Sequence, residues 1–233
     1  MMQWLADMWV KEGAGIAKDA PQPTGMALFF DILKREWWEV VKLNLLFIIA
    51  SLFVVTIPAA LVAMARVSRS FAADENVYLL RDFLAALKTH ALRATALFAV
   101  CFTATGGALY ATISYASAAR SQLIYSLPLA VSIVVTLYLA IVTAYAFVFL
   151  GSRNSSVSGS LKQAALAALA RPLPMITALA FVATLWLAHI LFYPVSVFMP
   201  ATINFSLGMF ALCFAARGAG VSQNEAKEPL SRQ

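Results

Sequence analysis

Side chains that could do chemistry are sparse in this sequence, and where they fall bounds what the chain can do. Five long apolar stretches, at about residues 43–65, 94–115, 123–150, 173–193 and 195–216, contain no Asp or Glu. Ionisable groups at membrane depth mark proton and ion pathways. Their absence argues against a proton-coupled pump and against carboxylate catalysis inside a bilayer. There is no HExxH, no Walker-type phosphate loop and no Cys/His cluster. Cys101 and Cys213 each stand alone in an apolar stretch, as small hydrophobes rather than metal or disulfide partners. The expectation is a protein that is not an enzyme and has no cofactor or metal.

A few polar and small residues remain as candidates for structural or partner contact. Asn44, near the start of the first stretch, is a carboxamide that needs a hydrogen-bond partner in lipid. It either fixes that helix against its neighbours, with Thr56 one candidate partner, or lies shallow enough to meet water. Pro58 breaks a main-chain hydrogen bond and frees a carbonyl one turn earlier, which makes a kink or a hinge. Thr103, Gly107 and Ala111 recur every four residues, a small-residue stripe suited to close helix packing. Gly208 with Leu212 and Ala211 with Ala215 form similar ridges later in the chain. His189 stands between Trp186 and Tyr193 in an interfacial setting, and His90 sits among Lys88 and Arg93, where it reads as a headgroup contact.

The elements that must position these residues follow from hydropathy. Of 233 residues, 62% are hydrophobic and 12% charged, and the formal charge is +6. Mean hydropathy is +0.81. A soluble chain is roughly half apolar and about one-quarter charged, so lipid must cover part of this surface. A helix crossing about 30 Å of hydrocarbon needs about 20 apolar residues, and each of the five stretches is long enough. The fold class expected is an all-α polytopic membrane protein with about five transmembrane helices. Its basic residues lie between apolar segments, the pattern of topology signals and lipid headgroup contacts rather than of nucleic-acid binding.

Residues 1–40 read as a polar and amphipathic region, with Trp4, Leu5, Met8 and Trp9 on one side of a short helix and a second helical pattern over 26–39. Residues 41–216 form the transmembrane domain, and 217–233 a polar, disordered tail. Two connections are amphipathic. In 74–93, Leu80, Phe83, Leu84 and Leu87 make an apolar stripe, with Arg81, Asp82 and Lys88 opposite and Asp74 or Asn76 as the cap. Residues 158–171 carry a weaker version through Leu161, Ala165 and Leu169. Both read as surface helices. The excess of Lys and Arg in these connections and the tail places them, with the C-terminus, in the cytoplasm and the N-terminus outside. If Met26–Glu39 dips into the membrane, or Pro58 turns the first helix back, the count of crossings becomes even and the N-terminus moves to the cytoplasmic side.

The stretch from Leu43 to Thr95 carries a family resemblance. Leu43–Phe47 (LNLLF), Val54–Val67 (VVTIPAALVAMARV) and Tyr78–Thr95 (YLLRDFLAALKTHALRAT) resemble the YesL family of bacterial membrane proteins. Thr56 and Pro58 fall in the middle of the family's first-helix motif, and Arg81, Asp82, Phe83 and Lys88 match its surface helix. Phe47 replaces the family's usual Trp, and Phe53 stands near the place of its first Pro. The resemblance implies a multi-pass protein of the bacterial inner membrane with no established biochemical activity. Its members' association with carbohydrate uptake and breakdown implies an accessory role beside sugar transporters. The expected partners are the lipid bilayer, membrane transporter subunits and further copies of the chain. Arg81, Asp82, Phe83 and Lys88 would make cytoplasmic contacts, and the small-residue stripes would contact helices. The alternative is a small oligomeric channel or facilitator, with Thr103, Thr105, Ser132, Thr136 and Tyr138 along its path.

Overall fold

The computed structural model describes residues 24–152 and 156–225. No strand occurs among them, and they form eight α-helices. The amphipathic pattern around Trp4–Trp9 lies outside the described residues. Helix α1, Gly25–Arg35, sets Phe29 and Ile32 into the core and leaves Met26 and Phe30 exposed. Helix α2 follows at once, Trp37–Ser51. The chain then breaks through a 3-10 turn, Val54–Thr56, before α3, Ile57–Ala72.

The first apolar stretch is therefore not one straight span over 43–65. It is a hairpin. Arg35, just before α2, and Asp74, just after α3, meet in an ion pair at 2.5 Å, so the chain returns to the level from which it started. Helices rise about 1.5 Å per residue, and the two arms have 15 and 16 residues. Each is about 22–24 Å long. Pro58 does not kink a continuous helix; it sits in the first turn of α3, where its missing N–H costs no hydrogen bond. The hairpin tip, Leu52 to Val55, is fully apolar and faces outward.

At the other end of α3 the chain turns sharply. Asp74 has a φ of 59°. Its N–H reaches Phe71 O, and the Glu75 N–H reaches Ser70 O, so the last carbonyls of α3 are satisfied by a left-handed cap. Asp is one of the few non-glycine residues that enters this region readily. Helix α4 then runs unbroken for 41 residues, Leu79–Ala119. Residues 74–93 thus contain no separate surface helix. Phe83, Ala86, His90, Ala94, Leu97 and Cys101 form one buried stripe at helical spacing, with no Pro or Gly among them to interrupt the helix. Of the expected stripe only Phe83 is fully buried; Leu80 and Leu84 stay exposed. Neither Asp74 nor Asn76 caps the helix. Instead the Asp82 carboxylate reaches back to accept from the Tyr78 N–H at 2.9 Å.

Helix α5, Ser126–Leu150, returns alongside α4. The pairs Thr105–Thr143 and Thr112–Thr136 fix their antiparallel register. Helix α6, Val157–Ala170, is the second expected surface helix, and Ser156 caps it by accepting from the Gly159 N–H. It turns its alanines inward, not its leucines: Ser160, Ala164, Ala167 and Ala168 are buried, while Leu166 and Leu169 are exposed. Alanine lets helix backbones approach closely, and leucine is at no disadvantage facing lipid. Helix α7, Pro172–Leu191, and helix α8, Phe205–Glu225, pack antiparallel, Trp186 on Phe205 and Gly208 on Val182. A cis Tyr193–Pro194 bond, a 3-10 turn and a π-helical turn, Pro200–Asn204, join them. Helix α8 does not stop before Arg217 but continues to Glu225.

Helix α3 is the hub. It contacts α2, α4, α5 and α8, and Ala59, Ala60, Val62, Ala63, Met64, Ala65 and Val67 are all buried. By length and composition five helices can cross a membrane, Val54–Ala72, Leu79–Ala119, Leu123–Leu150, Pro172–Leu191 and Val195–Ala219. Helix α2 adds a sixth, shorter limb. The six limbs thus run alternately in opposite directions, and Arg35, Arg66, Arg69, Asp74, Glu75, Arg81 and Asp82 come together at one end of the bundle.

Single cysteines replacing Glu36 and Glu75 are expected to label from the same side of a sealed vesicle with an impermeant maleimide, and one replacing Ser121 from the opposite side. A straight first span would put positions 36 and 75 on opposite sides. Replacing Ala63 with Leu should overpack the hub and destabilise the bundle by about 1–3 kcal/mol, read as a lower melting temperature in detergent.

Candidate functional site

Three places hold the residues that the sequence singles out. The first is Asn44, fully buried on α2. Its Nδ2 donates to Pro200 O at 2.9 Å and Ala201 O at 2.8 Å. Its Oδ1 accepts from the N–H groups of Phe205 at 3.1 Å and Ser206 at 3.0 Å. One carboxamide thus takes up four main-chain groups at the π-helical turn that leads into α8. Asn44 does not pair with Thr56. Both functional groups of Asn204, in the same turn, are buried without a hydrogen-bond partner among the described residues.

The second place is the hairpin tip. The Thr56 hydroxyl lies against the carbonyls of Ala50 and Phe53, the latter at 2.6 Å. The break takes the Ala50 carbonyl out of the regular helical pattern, and in lipid no water replaces a lost donor; the Phe53 carbonyl also accepts from the Thr56 N–H at 2.9 Å. Thr56 and Pro58 together make the turn: one covers its carbonyls, and the other starts the next helix without an N–H to satisfy.

The third place is the charged end. Arg81 donates to Asp82 at 3.1 Å and lies 4.2 Å from the centre of the Tyr78 ring. Lys88 is exposed. Phe83 is not available to a partner, because it is 1% exposed and packed in the core. His90 is not a surface residue either: it is buried, and its Nδ1 meets no partner among the described residues. Arg66 donates to Gly151 O at 3.3 Å and Arg69 to Val148 O at 3.2 Å. Gly151 permits this closure, since a Cβ there would stand 3.1 Å from the Arg66 main-chain nitrogen.

Two further sets of residues separate in space. Ala211 is buried, and Gly208 packs on Val182, so the small residues of α8 are used inside the bundle. Those of α4 are not. Thr103 and Gly107 are exposed, and nothing lies within 4 Å of a Cβ built on Gly107. The hydroxyls expected along a path are bonded within the chain: Thr105 and Thr136 join α4 to α5, Thr103 donates to Ala99 O, Ser132 to Leu129 O and Tyr138 to Ala165 O. His189 bonds through Nδ1 to Ser196, whose hydroxyl donates back to His189 O at 2.7 Å. No group of three or more His, Cys, Asp or Glu that could hold a metal occurs among the described residues.

Residues 40–113 match a family described as "Protein of unknown function, DUF624". No curated protein and no solved structure matches the chain. The DUF624 segment spans α2, the hairpin tip, α3 and most of α4. It includes Asn44, Thr56, Pro58, Arg81, His90 and Gly107, but the partners of Asn44 lie beyond it, on the turn into α8.

Asn44→Leu leaves two N–H groups and two carbonyls without their partner. It is expected to destabilise the bundle by about 3 kcal/mol or more. Asn44→Asp keeps the acceptor but faces two carbonyls with no donor, and should recover little of the loss. Thermal unfolding in detergent distinguishes both from a neutral change.

Proposed function

We propose that this chain is a non-enzymatic accessory or scaffold protein of the bacterial inner membrane that docks on the helices of a partner membrane complex. The observation that carries this reading is the open face of α4. Thr103 and Gly107 present a small-residue stripe outward, with open space where a side chain would begin. Beside it an apolar groove of about 530 Å³ is lined by Phe98, Phe102, Gly106, Leu109, Met209 and Leu212. In lipid, helices associate through close packing at such small residues. At 1.5 Å per residue α4 is about 62 Å long, twice the hydrocarbon thickness. It has length to spare for a partner beyond what its own bundle uses.

The absence of acids from the five apolar stretches read in the sequence supports a role without chemistry in the bilayer. The YesL-like pattern of Leu43–Thr95 points to a carbohydrate-uptake system as the partner's class. Arg35, Arg66, Arg69 and Arg81 gather at one end of the bundle, which supports a cytoplasmic location for that end, and so for α1 and the C-terminal end of α8.

Crosslinking in native membranes followed by mass spectrometry is expected to recover stoichiometric transporter subunits. Gly107→Leu should abolish that recovery without lowering the melting temperature, because a Cβ at this position meets nothing in its own chain. Recovery of the chain alone as a defined oligomer would instead favour a channel or facilitator.

A further inference from the structure

At the charged end, α3, the 73–78 turn and the start of α4 enclose a cleft of about 290 Å³. A second hollow of about 430 Å³ adjoins it, and Arg66, Ser70 and Glu75 line both. The sequence singled out Arg81, Asp82 and His90 nearby, but the docking reading uses none of this cavity.

We propose that the cleft binds a phosphate group, on a small soluble ligand or on a lipid headgroup. Three guanidinium-bearing residues line the two hollows, Arg66 and Arg81 the first, Arg66 and Arg69 the second. Guanidinium suits phosphate because its planar fork matches two oxygens at once. The two acids in the lining are already engaged. Asp82 accepts from the Tyr78 N–H and from Arg81, and Glu75 accepts from the Ser70 hydroxyl at 3.0 Å. Three arginines against two acids leave the lining of the two hollows with a net positive charge. Beneath it lies His90, 4% exposed, whose Nδ1 has no partner among the described residues. A buried ring nitrogen without a partner is costly, and a phosphate oxygen in the cleft would supply one. The volume exceeds that of a bare phosphate, so the group would arrive with a substituent attached.

The test uses the full chain, purified and stripped of lipid in a neutral detergent. Binding of inorganic phosphate is followed by calorimetry. In parallel, nanodiscs containing phosphatidylglycerol or phosphatidylcholine are examined by native mass spectrometry for retained lipid. Binding of inorganic phosphate without lipid assigns the site to a soluble ligand. Selective retention of phosphatidylglycerol without phosphate binding assigns it to a headgroup. In either case Arg81→Gln, at an exposed helix start, is expected to weaken binding about tenfold, and His90→Phe, which keeps the buried volume, should weaken it too. Circular dichroism checks that both variants are folded. Failure to bind either probe, or equal binding by folded wild type and both variants, overturns the proposal. Neither result bears on the open face of α4, which lies elsewhere on the bundle.

Discussion

The bundle depends on one carboxamide. In water a helix interrupted by a proline and a π-helical turn loses little, because solvent takes up the freed groups. In hydrocarbon each such group costs several kcal/mol. The chain into α8 carries both interruptions, Pro200 and the turn that follows it. Asn44 meets them with two donors and two acceptors, filled by four main-chain bonds. Those bonds tie residues about 160 positions apart and seat α2 against α8. With α2 held there, the hairpin tip, the hub helix α3 and the Arg35–Asp74 closure follow. Phe47 on Phe205 and Phe29 on Phe210 extend the same contact with aromatic packing.

Much of this was legible in the sequence. Hydropathy and length mark the membrane class, and the stretches at 123–150 and 173–193 lie close to α5 and α7, while 94–115 is part of a helix nearly twice its length and 195–216 opens on two irregular turns. The first stretch matches no single helix, because a run of apolar residues carries no sign of direction. Leu52 to Val55 are as apolar as the arms they join, so a turn among them is silent in hydropathy. Only the Thr56–Pro58 pair marks it, and that pair reads equally as a kink. Asn44 stood out as a polar residue in an apolar span, but its partners are main-chain groups from another helix, and no side-chain pattern encodes them. Phe83 and His90 misled for another reason. Amphipathicity identifies a face without saying whether lipid or another helix covers it, and here α3 covers it.

The charged end and the open face of α4 divide the molecule by environment. At the charged end polar groups find one another: Arg66 and Arg69 close α3 against the end of α5, and Asp82 holds the start of α4. In the membrane the surface is nearly all apolar, and what distinguishes one face from another is side-chain size alone. The open stripe differs from the lipid-facing valines and leucines around it only by what it lacks. A partner would recognise a shape there, and a charge pattern at the bundle's end.

The hairpin also bears on how the chain enters the membrane during synthesis. Both its ends stay at the charged end, and its tip, Leu52 to Val55, is wholly apolar. It can slide into the bilayer as a closed unit without drawing any charged segment through. The turn between α4 and α5 asks little more, since Arg120 is the one charged residue in it. Placing an arginine at the bilayer centre costs about 2.5–3.5 kcal/mol on insertion scales, a modest barrier for this turn. The hairpin is built so that the charged residues at its two ends, Arg35 and Asp74, need not cross.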